Sequence, residues 1–206
     1  MTTAPKTPLT RADAADDIET RILDAALAQF QKVGVKKTTI EDVAKQAGVD
    51  RVTVYRRLGS RDDLVQAVVS REVANLLAEL AGMPERHTDL ADLIADIFVT
   101  VITGWRAHPL VERQLALEPE RIITKLTVDG ETVFAMTVAA TVDIFDRAAR
   151  QGIFEAPKDL AARTEVACRV VHSLILVQGG AAALETPDEL AEFARTYLVP
   201  VIAGQR

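Results

Sequence analysis

The 206-residue chain is 49% hydrophobic and 26% charged, which excludes a largely disordered protein and fits one or two globular domains. The net charge of −6 argues, taken alone, against a nucleic-acid partner. Only 4% of the residues are aromatic, and the abundant aliphatic residues favour helices packed on helices. No apolar stretch approaches the roughly 18 residues of a membrane-spanning helix, so no membrane partner is expected. The first residues carry no apolar signal segment, and we therefore expect a cytoplasmic protein.

The sequence contains little that predicts catalysis or a cofactor. The single cysteine, Cys168, excludes an internal disulfide and leaves any zinc site short of thiolate ligands. Cys168 and His172 are four residues apart and can share a helix face, but a cysteine in an apolar helix is usually a buried, inert thiol. No glycine-rich phosphate loop, nucleophile elbow or zinc-protease motif occurs. We therefore expect neither an enzyme nor a resident cofactor or metal.

The charges are distributed unevenly along the chain. Residues 1–65 carry 11 Lys and Arg against 10 Asp and Glu, whereas residues 66–206 carry 13 against 20. Within residues 32–61 there are 8 basic and 3 acidic side chains, a net charge of +5 inside an acidic protein. Such asymmetry predicts an interaction module joined to a domain of a different kind.

In chain order, residues 1–15 have no usable hydrophobic period and are predicted to form a flexible arm. From Asp16 the apolar residues recur at helical spacing, and Gly34 supplies a C-terminal stop for the predicted helix. The buried side of this helix is expected to consist of Ile22, Ala26, Phe30 and Val33. The first domain is thus predicted to begin at residue 16.

A short helix is predicted next, with Thr38 as its N-cap, because Glu41 lies three residues later in a capping-box pattern. Gly48 closes this helix, and Asp50 can cap a second short helix over residues 51–58. The apolar stripe of the first of these helices is Ile40, Val43, Ala44 and Ala47. A tight glycine-containing turn between two such helices is typical of a helix-turn-helix.

After Gly59, Ser60 and Asp63 are predicted to cap a longer helix, and everything that follows predicts amphipathic helices without strands. The helical stripes cover about 64–80, 89–107, 131–150, 159–177 and 186–201, whereas 111–125 has no clear pattern. The predicted fold class is therefore all-α, with an arm over residues 1–15, a helix-turn-helix domain over 16–64 and a helical-bundle regulatory domain over 65–206.

The segment 38–64 carries the strongest functional signal. The second helix of a helix-turn-helix enters the major groove of DNA, where arginine can bind guanine and threonine can contact a thymine methyl group or a phosphate. Helix N-termini with free N–H groups also suit a phosphate. The candidate DNA-binding residues are Thr38, Thr39, Arg51, Thr53, Tyr55, Arg56, Arg57 and Arg61. A merely solvated basic face is the alternative, and the caps in register with the glycine turn argue against it.

Residues from about Ile18 to Val69 resemble the DNA-binding domain of the TetR family of transcriptional regulators. The resemblance rests on ILDAALAQFQKVGVKKTTI, followed by EDVAKQAGVDRVTVYRRLGSRDDL. The family's small-residue turn falls on 47–49, its recognition-helix tyrosine on Tyr55 and its basic position before the fourth helix on Arg61.

The sequence departs from the family pattern at three places. An aromatic residue is common where this chain has Leu58, lysine is commoner than arginine at 61, and Asp50-Arg51-Val52 replaces a start that usually contains serine or proline. These differences bear on the operator sequence and on local packing. Beyond residue 75 only the all-helical pattern agrees with the family.

The resemblance implies a C-terminal domain that binds a ligand and dimerises through its last two long helices. The residues agree, because segment 159–178 is apolar on several faces and the final helix adds a further apolar set. Two such helices packed on a symmetry mate form a four-helix interface, in which Leu174 and Leu198 are expected to lie. The alternative is that both helices belong only to the core of one chain.

A small-molecule pocket is usually lined by apolar side chains with a few polar groups. The candidate ligand-binding residues are Phe98, Val101, Trp105, Phe134, Val138 and His172, and His108 is a further polar candidate. Each of them also fits an ordinary hydrophobic core, and a histidine on an apolar helix also fits a hydrogen-bonded core position.

The sequence thus predicts a homodimeric, ligand-responsive repressor. It would bind a pseudo-palindromic operator in double-stranded DNA and be released by a small, apolar effector. A DNA-binding activator of the same family is one alternative. A helical small-molecule-binding protein without operator binding is another, and the intact basic helix over residues 51–58 argues against it.

Overall fold

The computed structural model describes residues 11–117, 119–177 and 179–204, and throughout these ranges the regular structure is helical, with no strand. The predicted all-α fold class is confirmed. Among the helices of these ranges none is both long and apolar enough to cross a membrane. The chain divides into two compact units, and the division falls between Arg71 and Glu72, inside the fourth helix.

The N-terminal unit is built from four helices: α1 (Arg11–Val33), α2 (Ile40–Ala47), α3 (Arg51–Leu58) and the first half of α4 (Arg61–Ala81). Helix α1 begins before the predicted start at Asp16, so residues 11–15 are helical and do not belong to an arm. These five residues include three alanines, which favour a helix strongly but show no apolar period. Residues 1–10 of the predicted arm lie outside the described residues.

The core of the N-terminal unit takes one face of each helix. Ile22 and Phe30 of α1, Val43 of α2 and Leu64 of α4 are all buried, as the helical spacing predicts. Val33 was expected in the same stripe but is only half-buried. The fully buried position is instead Val35, just after α1 ends, because the chain turns inward there toward α2.

The N-cap of α2 is Thr39, one residue after the predicted cap Thr38, and its capping-box partner is Asp42 instead of Glu41. The Asp42 backbone N–H donates to the Thr39 hydroxyl at 3.1 Å, and the Thr39 backbone N–H donates to the Asp42 carboxylate at 3.2 Å. The sequence offers two equivalent registers, since Thr-x-x-acid occurs at both. Burial decides between them, because Thr38 is only 3% exposed.

The other two caps of the N-terminal unit are as predicted. The backbone N–H of Thr53 donates to the Asp50 carboxylate at 2.6 Å, which starts α3. At α4, the backbone N–H and the hydroxyl of Ser60 donate to the Asp63 carboxylate at 2.8 and 2.7 Å. Both helices are therefore fixed at their first turns by local hydrogen bonds.

The second unit contains the rest of α4, a short 3₁₀ turn and seven α-helices among the described residues. They are Pro84–Arg86 (3₁₀), α5 (Leu90–Ala107), α6 (Pro109–Leu117), α7 (Pro119–Leu126), α8 (Glu131–Arg150), α9 (Leu160–Leu176), α10 (Pro187–Phe193) and α11 (Val199–Ala203). The stretch that lacked a pattern forms α6 and α7, each opened by a proline at its first position. Helices this short present too few turns to display a period.

The core of the second unit is aliphatic, with few aromatic side chains. Its buried members include Leu93, Ile94, Phe98, Ile102, Ile144, Phe145, Ala148, Leu160, Leu190, Leu198 and Ile202. Leu198 corrects a prediction: it was expected at an interface between subunits, but it is 3% exposed within this single chain and is therefore not available to a partner. Leu174 is half-buried and packs against the same core.

The last predicted helix, over residues 186–201, is interrupted. A π-helical turn over Ala194–Leu198 separates α10 from α11. Pro200 explains the interruption, because proline has no N–H to donate and its ring would clash with the carbonyl of Thr196 in a regular α-helix. A widened turn before the proline relieves that clash.

Candidate DNA-binding surface and effector site

Helix α3 has one buried and one exposed face. Val54 is fully buried and Leu58 is half-buried, as predicted. At about 100° per residue, Val52 and Arg56 lie on the side opposite Val54, whereas Arg57 lies only about 60° from Val54, at the margin of the buried side. Val52, Arg56 and Arg57 are all exposed. The exposed face is thus cationic with one aliphatic side chain at its centre.

Arg51 and Tyr55 form a pair along the edge of this face. The Arg51 guanidinium carbon lies 5.2 Å from the centroid of the Tyr55 ring, and Nη2 donates to the tyrosine hydroxyl at 3.3 Å. The two residues are one turn apart, so the helix itself brings them together. The cation–π contact holds the guanidinium beside the ring and reduces the side-chain entropy that Arg51 would lose on binding a base or phosphate.

Asp50 limits what the N-terminus of α3 can bind. Hydrogen bonds from Thr53, the backbone N–H first, lower the pKa of the Asp50 carboxyl below its ordinary value of 3.8. The carboxylate is therefore charged at neutral pH and already occupies the positive end of the helix. We conclude that phosphate binding at this end is disfavoured. Of the predicted DNA contacts in this first turn, Arg51 is exposed and Thr53 is half-buried.

Thr39 is exposed at the N-terminus of α2, where its hydroxyl donates to the Asp42 carboxylate at 2.6 Å. This hydrogen bond, and the one from the Thr39 backbone, lower the pKa of Asp42 below 3.8. Thr39 is accessible to a DNA backbone, but its hydroxyl and N–H both serve the cap. A phosphate contact there would have to share these donors with Asp42.

Thr38 and Arg61 were also predicted to contact DNA, and the structure gives them other partners. The buried Thr38 hydroxyl donates to the carbonyl oxygen of Gly34 at 2.8 Å. Arg61 is half-buried; its Nε donates to the carbonyl oxygen of Thr38 at 3.1 Å, and its Nη2 donates to the carbonyl oxygen of Val35. Both side chains therefore hold the connection between α1 and α2, and this is a correction to the predicted surface.

One important residue was missed from the sequence. Arg21 of α1 donates from Nη2 to the carbonyl oxygen of Ala47 and, at 3.4 Å, to that of Gly48. Gly48 has φ +67°, a left-handed conformation that favours glycine, and a Cβ there would lie 3.1 Å from the Arg21 guanidinium. Arg21 thus fixes the turn that sets α3 against α2. Its only sequence signal is a lone cation beside an apolar stripe.

In the second unit, two of the predicted ligand-binding residues lie together. The rings of Phe134 and His172 meet edge to face with centroids 5.6 Å apart, and the Arg169 guanidinium lies 5.0 Å from the Phe134 centroid. His172 Nε2 lies 2.7 Å from the carbonyl oxygen of Leu126, so this nitrogen is the donor in a backbone hydrogen bond. Val138, one turn after Phe134, is half-buried.

The other predicted ligand-binding residues have different surroundings. Phe98 is 2% exposed and stacks on Phe193 at 5.6 Å, so it is a core residue. Val101 also packs against the core. Trp105 borders a cleft of about 230 Å³, which it shares with Arg106, Val111, Glu112 and Leu115. Among the described residues, the six candidates therefore do not line a single cavity.

A larger cleft, of about 380 Å³, contains none of the predicted residues. Four of its polar side chains form two pairs: His87 Nε2 lies 3.0 Å from the Asp96 carboxylate, and Arg195 donates to Asp92 at 2.9 Å. The remaining polar candidate, His108, lies 3.1 Å from the Glu72 carboxylate. These pairs suit a solvated surface better than an apolar ligand.

Groups that would support catalysis or metal binding are sparse in the described ranges. They contain no cluster of three or more His, Cys, Asp or Glu side chains arranged to hold a metal ion. Burial raises the pKa of the half-buried Cys168 thiol, which makes the reactive thiolate rarer at neutral pH.

The family model of the bacterial regulatory proteins of the tetR family matches residues 22–68. This range runs from α1 through the α2–α3 turn into α4, and it includes the exposed face of α3. Residues 22–68 therefore form a TetR-family domain. The resemblance found in the sequence is thereby confirmed for this segment, which contains a helix-turn-helix.

Relatives of known sequence extend the match beyond the helix-turn-helix. An uncharacterized HTH-type transcriptional regulator of Mycobacterium tuberculosis (strain CDC 1551) is 29% identical over 128 residues, which cover 62% of this chain. The match covers 66% of that relative, slightly less than two thirds of its length.

Two solved structures share the fold of this chain. The TetR family repressor AlkX from Dietzia sp. strain DQ12-45-1b, implicated in biodegradation of n-alkanes, has a TM-score of 0.67 and 20% identity, over 88% of this chain and 96% of that one. RolR in complex with resorcinol has a TM-score of 0.62 and 14% identity, over 95% and 92%. At these identities the likeness shows the fold alone.

Proposed function

We propose that this TetR-family regulator is a homodimeric repressor that binds a pseudo-palindromic operator and is released by a small, mostly apolar effector. In this proposal the N-terminal unit binds DNA, and the second unit binds the effector and dimerises. Because a two-fold dimer presents two copies of α3, the operator has two related half-sites.

The observation that carries the proposal is the division of α3 into two faces. Val54 anchors one face in the core, while Arg56 and Arg57 extend from the helix into solvent. The cap at Asp50 fixes the start of α3, and the cap at Ser60 fixes the start of α4, the next helix. A short, firmly anchored helix that carries exposed arginines fits the major groove. The fold of the unit itself does not require those arginines.

Exposed apolar residues near the C-terminus support the dimer. Val166 of α9 is 50% exposed and Tyr197 of the π-helical turn is 59% exposed, although both lie on elements whose other faces are buried. Large apolar side chains left in water on the last helices suit a surface covered by a second copy. These two residues, and not Leu198, are the positions at which we place the subunit interface.

The effector is assigned to the second unit, at the paired rings of Phe134 and His172, with Trp105 at another cleft of the same unit. Phe134 and Trp105 are only half-buried, so part of each ring is accessible. An aromatic surface with one histidine and one arginine beside it suits an apolar ligand that carries a single polar group. RolR, a protein of similar fold, was solved in complex with the small ligand resorcinol, which is consistent with a small effector here.

The decisive experiment is selection of operator DNA from a random duplex library with the full chain, followed by mobility-shift titration. Arg56→Ala and Arg57→Ala are each expected to weaken specific binding by about 1–3 kcal/mol, because each removes a base-reading side chain. Arg150→Ala is the matched control, since this exposed arginine lies at the end of α8 in the other unit. Unchanged affinity and footprint in both α3 variants would contradict the assignment.

An activator of the same family would bind DNA through the same surface, so a different readout separates it. In vitro transcription from a promoter that carries the selected operator is expected to fall when the protein is added and to recover when the effector is present. A rise on protein addition would support the activator. A helical ligand-binding protein without an operator would yield no enriched sequence at all.

A further inference from the structure

Two valines on α3 have opposite environments. Val54 is fully buried in the N-terminal core, whereas Val52, two residues earlier, is 71% exposed. Val52 lies opposite the buried side of the helix and is therefore at the centre of the outer face, with Arg56 one turn further along. It is among the most exposed large apolar side chains of the described residues.

The fold of the N-terminal unit does not account for Val52. A side chain that is mostly in water contributes little burial energy, and valine, being β-branched, is a weaker helix former than alanine. Neither does charge account for it, since an isopropyl group cannot bind a phosphate. What remains is an apolar group presented outward from a short helix between cationic neighbours.

The major groove offers one apolar feature, the C5-methyl group of thymine. We propose that Val52 contacts a thymine methyl group in the operator and thereby selects a T·A base pair within each half-site. This inference rests on the proposed function, since it requires α3 to lie in the major groove. It adds a specificity-determining residue that reads DNA by apolar contact, beside the arginines that read by hydrogen bonds.

The helix geometry limits where this thymine lies. Val52 and Arg56 are four residues apart, a rise of about 6 Å along α3, whereas successive base pairs are about 3.4 Å apart. The thymine is therefore expected within about two base pairs of the base that Arg56 contacts. The pair Arg51–Tyr55 flanks the same face and leaves Val52 unobstructed in the free protein.

The test replaces thymine with deoxyuridine, which keeps every hydrogen-bonding group and removes only the methyl group. With the operator selected from a random library, each thymine is replaced in turn at the equivalent position of both half-sites. At one such position we expect wild-type affinity to fall about ten-fold, which corresponds to one lost apolar contact per half-site. Val52→Ala is expected to bind the thymine operator about ten-fold more weakly and to be indifferent to deoxyuridine at that position.

Val54→Ala is the matched control, because it shortens a valine on the same helix without touching the outer face. It is expected to lower the melting temperature, yet at a temperature where it is folded it should retain the wild-type sensitivity to deoxyuridine. Val52→Ala should melt at the wild-type temperature, because its side chain is exposed.

The outcomes separate this inference from the function beneath it. If wild type binds the operator specifically but every deoxyuridine replacement affects wild type and Val52→Ala equally, the thymine contact is wrong while operator binding stands. If no sequence is enriched by wild type, the proposed function fails and this inference fails with it. Loss of deoxyuridine sensitivity in Val52→Ala alone supports both.

Discussion

The Nε of Arg61, in the first turn of α4, donates a hydrogen bond to the backbone carbonyl oxygen of Thr38, the second residue before α2 begins, at 3.1 Å. The contact joins two parts of the N-terminal unit that are 23 residues apart in sequence. Sequence reasoning placed both residues on the DNA. The structure instead makes them parts of one connection, together with Gly34 and Val35, and this changes what their removal should do.

Arg61→Ala should act on stability first. It removes charge-assisted hydrogen bonds to two backbone carbonyls, and a bond of this kind contributes about 1.5–3 kcal/mol, with the lower end fitting a partly exposed side chain. Urea unfolding followed by circular dichroism measures the loss. Mobility shift well below the melting temperature should show nearly wild-type operator affinity.

The salt dependence of operator binding tests whether Arg61 has only this structural role. If Arg61→Ala keeps wild-type stability but reduces the slope of log affinity against log salt by about one, the residue contacts a phosphate after all. Thr38→Val is the companion variant: it keeps the buried volume, loses the hydroxyl bond to Gly34, and should destabilise by about 1 kcal/mol without changing that slope.

Capping carboxylates should make the N-terminal unit sensitive to acid. The pKa of Asp50 is lowered below 3.8, mainly by the Thr53 backbone N–H, and the unfolded chain therefore binds protons more readily than the folded one. The resulting stability is present above the ordinary pKa of 3.8 and is lost as pH falls through the lower folded value. Thermal unfolding between about pH 6 and pH 2 should show a progressive decline.

Asp50→Asn isolates the charge, because asparagine caps a helix about as well as aspartate. At neutral pH we expect a small change in melting temperature, and at acid pH a shallower decline than wild type. Asp146→Asn serves as the control, because Asp146 lies inside α8 of the other unit and not at a helix cap. If the melting temperature of Asp50→Asn falls with pH as steeply as that of wild type, groups other than Asp50 cause the loss of stability in acid.

The dimer prediction is tested at the exposed apolar residues of the last helices. Val166→Glu or Tyr197→Glu should leave the chain folded, because each side chain is at least half exposed, and should split the dimer by placing an unpaired charge in the interface. Light scattering at micromolar concentration reads the mass. Leu198→Glu should instead abolish folding, since Leu198 is buried in the core of the chain itself.

A folded Val166→Glu or Tyr197→Glu protein that remains dimeric would place the interface elsewhere. Val128→Glu is the matched control for a charged residue at an exposed valine, since Val128 is 83% exposed after α7. It is expected to leave both the fold and the mass of the assembly unchanged.

Effector binding should be coupled to operator binding. A ligand releases DNA only if it binds the DNA-incompetent arrangement better, and linkage then requires the operator to weaken ligand affinity by the same factor, typically about 5–150-fold. Helix α4 contributes residues to both units, and its Leu80 is buried in the core of the second, so we expect α4 to carry the coupling.

Trp105 provides the signal for that titration, because it is the only tryptophan and borders a cleft. Its fluorescence should shift on adding an apolar effector, and Trp105→Phe should abolish the signal while operator release, measured by mobility shift, is retained. Equal ligand affinity with and without operator would rule out the coupling, even if the fluorescence responds.

Much of the N-terminal unit is determined by local sequence. The helical stripes, the caps at Asp50 and Ser60 and the glycine turn at Gly48 predicted α2, α3 and the inward side of α3, because hydrogen bonds and spacing within a few residues are enough to fix them. The exposed arginines Arg56 and Arg57 followed from the same periodicity. Local pattern also excluded strands.

Only the tertiary structure decided which residues within those patterns are exposed and which are buried or bonded to the backbone. Thr38 and Thr39 are identical in type and each begins a Thr-x-x-acid capping pattern, yet packing buries one and exposes the other. Arg61 looks like any surface cation until the loop between α1 and α2 brings two carbonyls to it. Leu198 and Tyr197 are adjacent in an apolar segment, and only the packing of the chain shows that Leu198 lies in the core and Tyr197 on the surface. The physical reason is the same in each case: sequence spacing fixes the face of a helix on which a side chain lies, whereas its partners come from segments distant in the chain, and no local pattern encodes those.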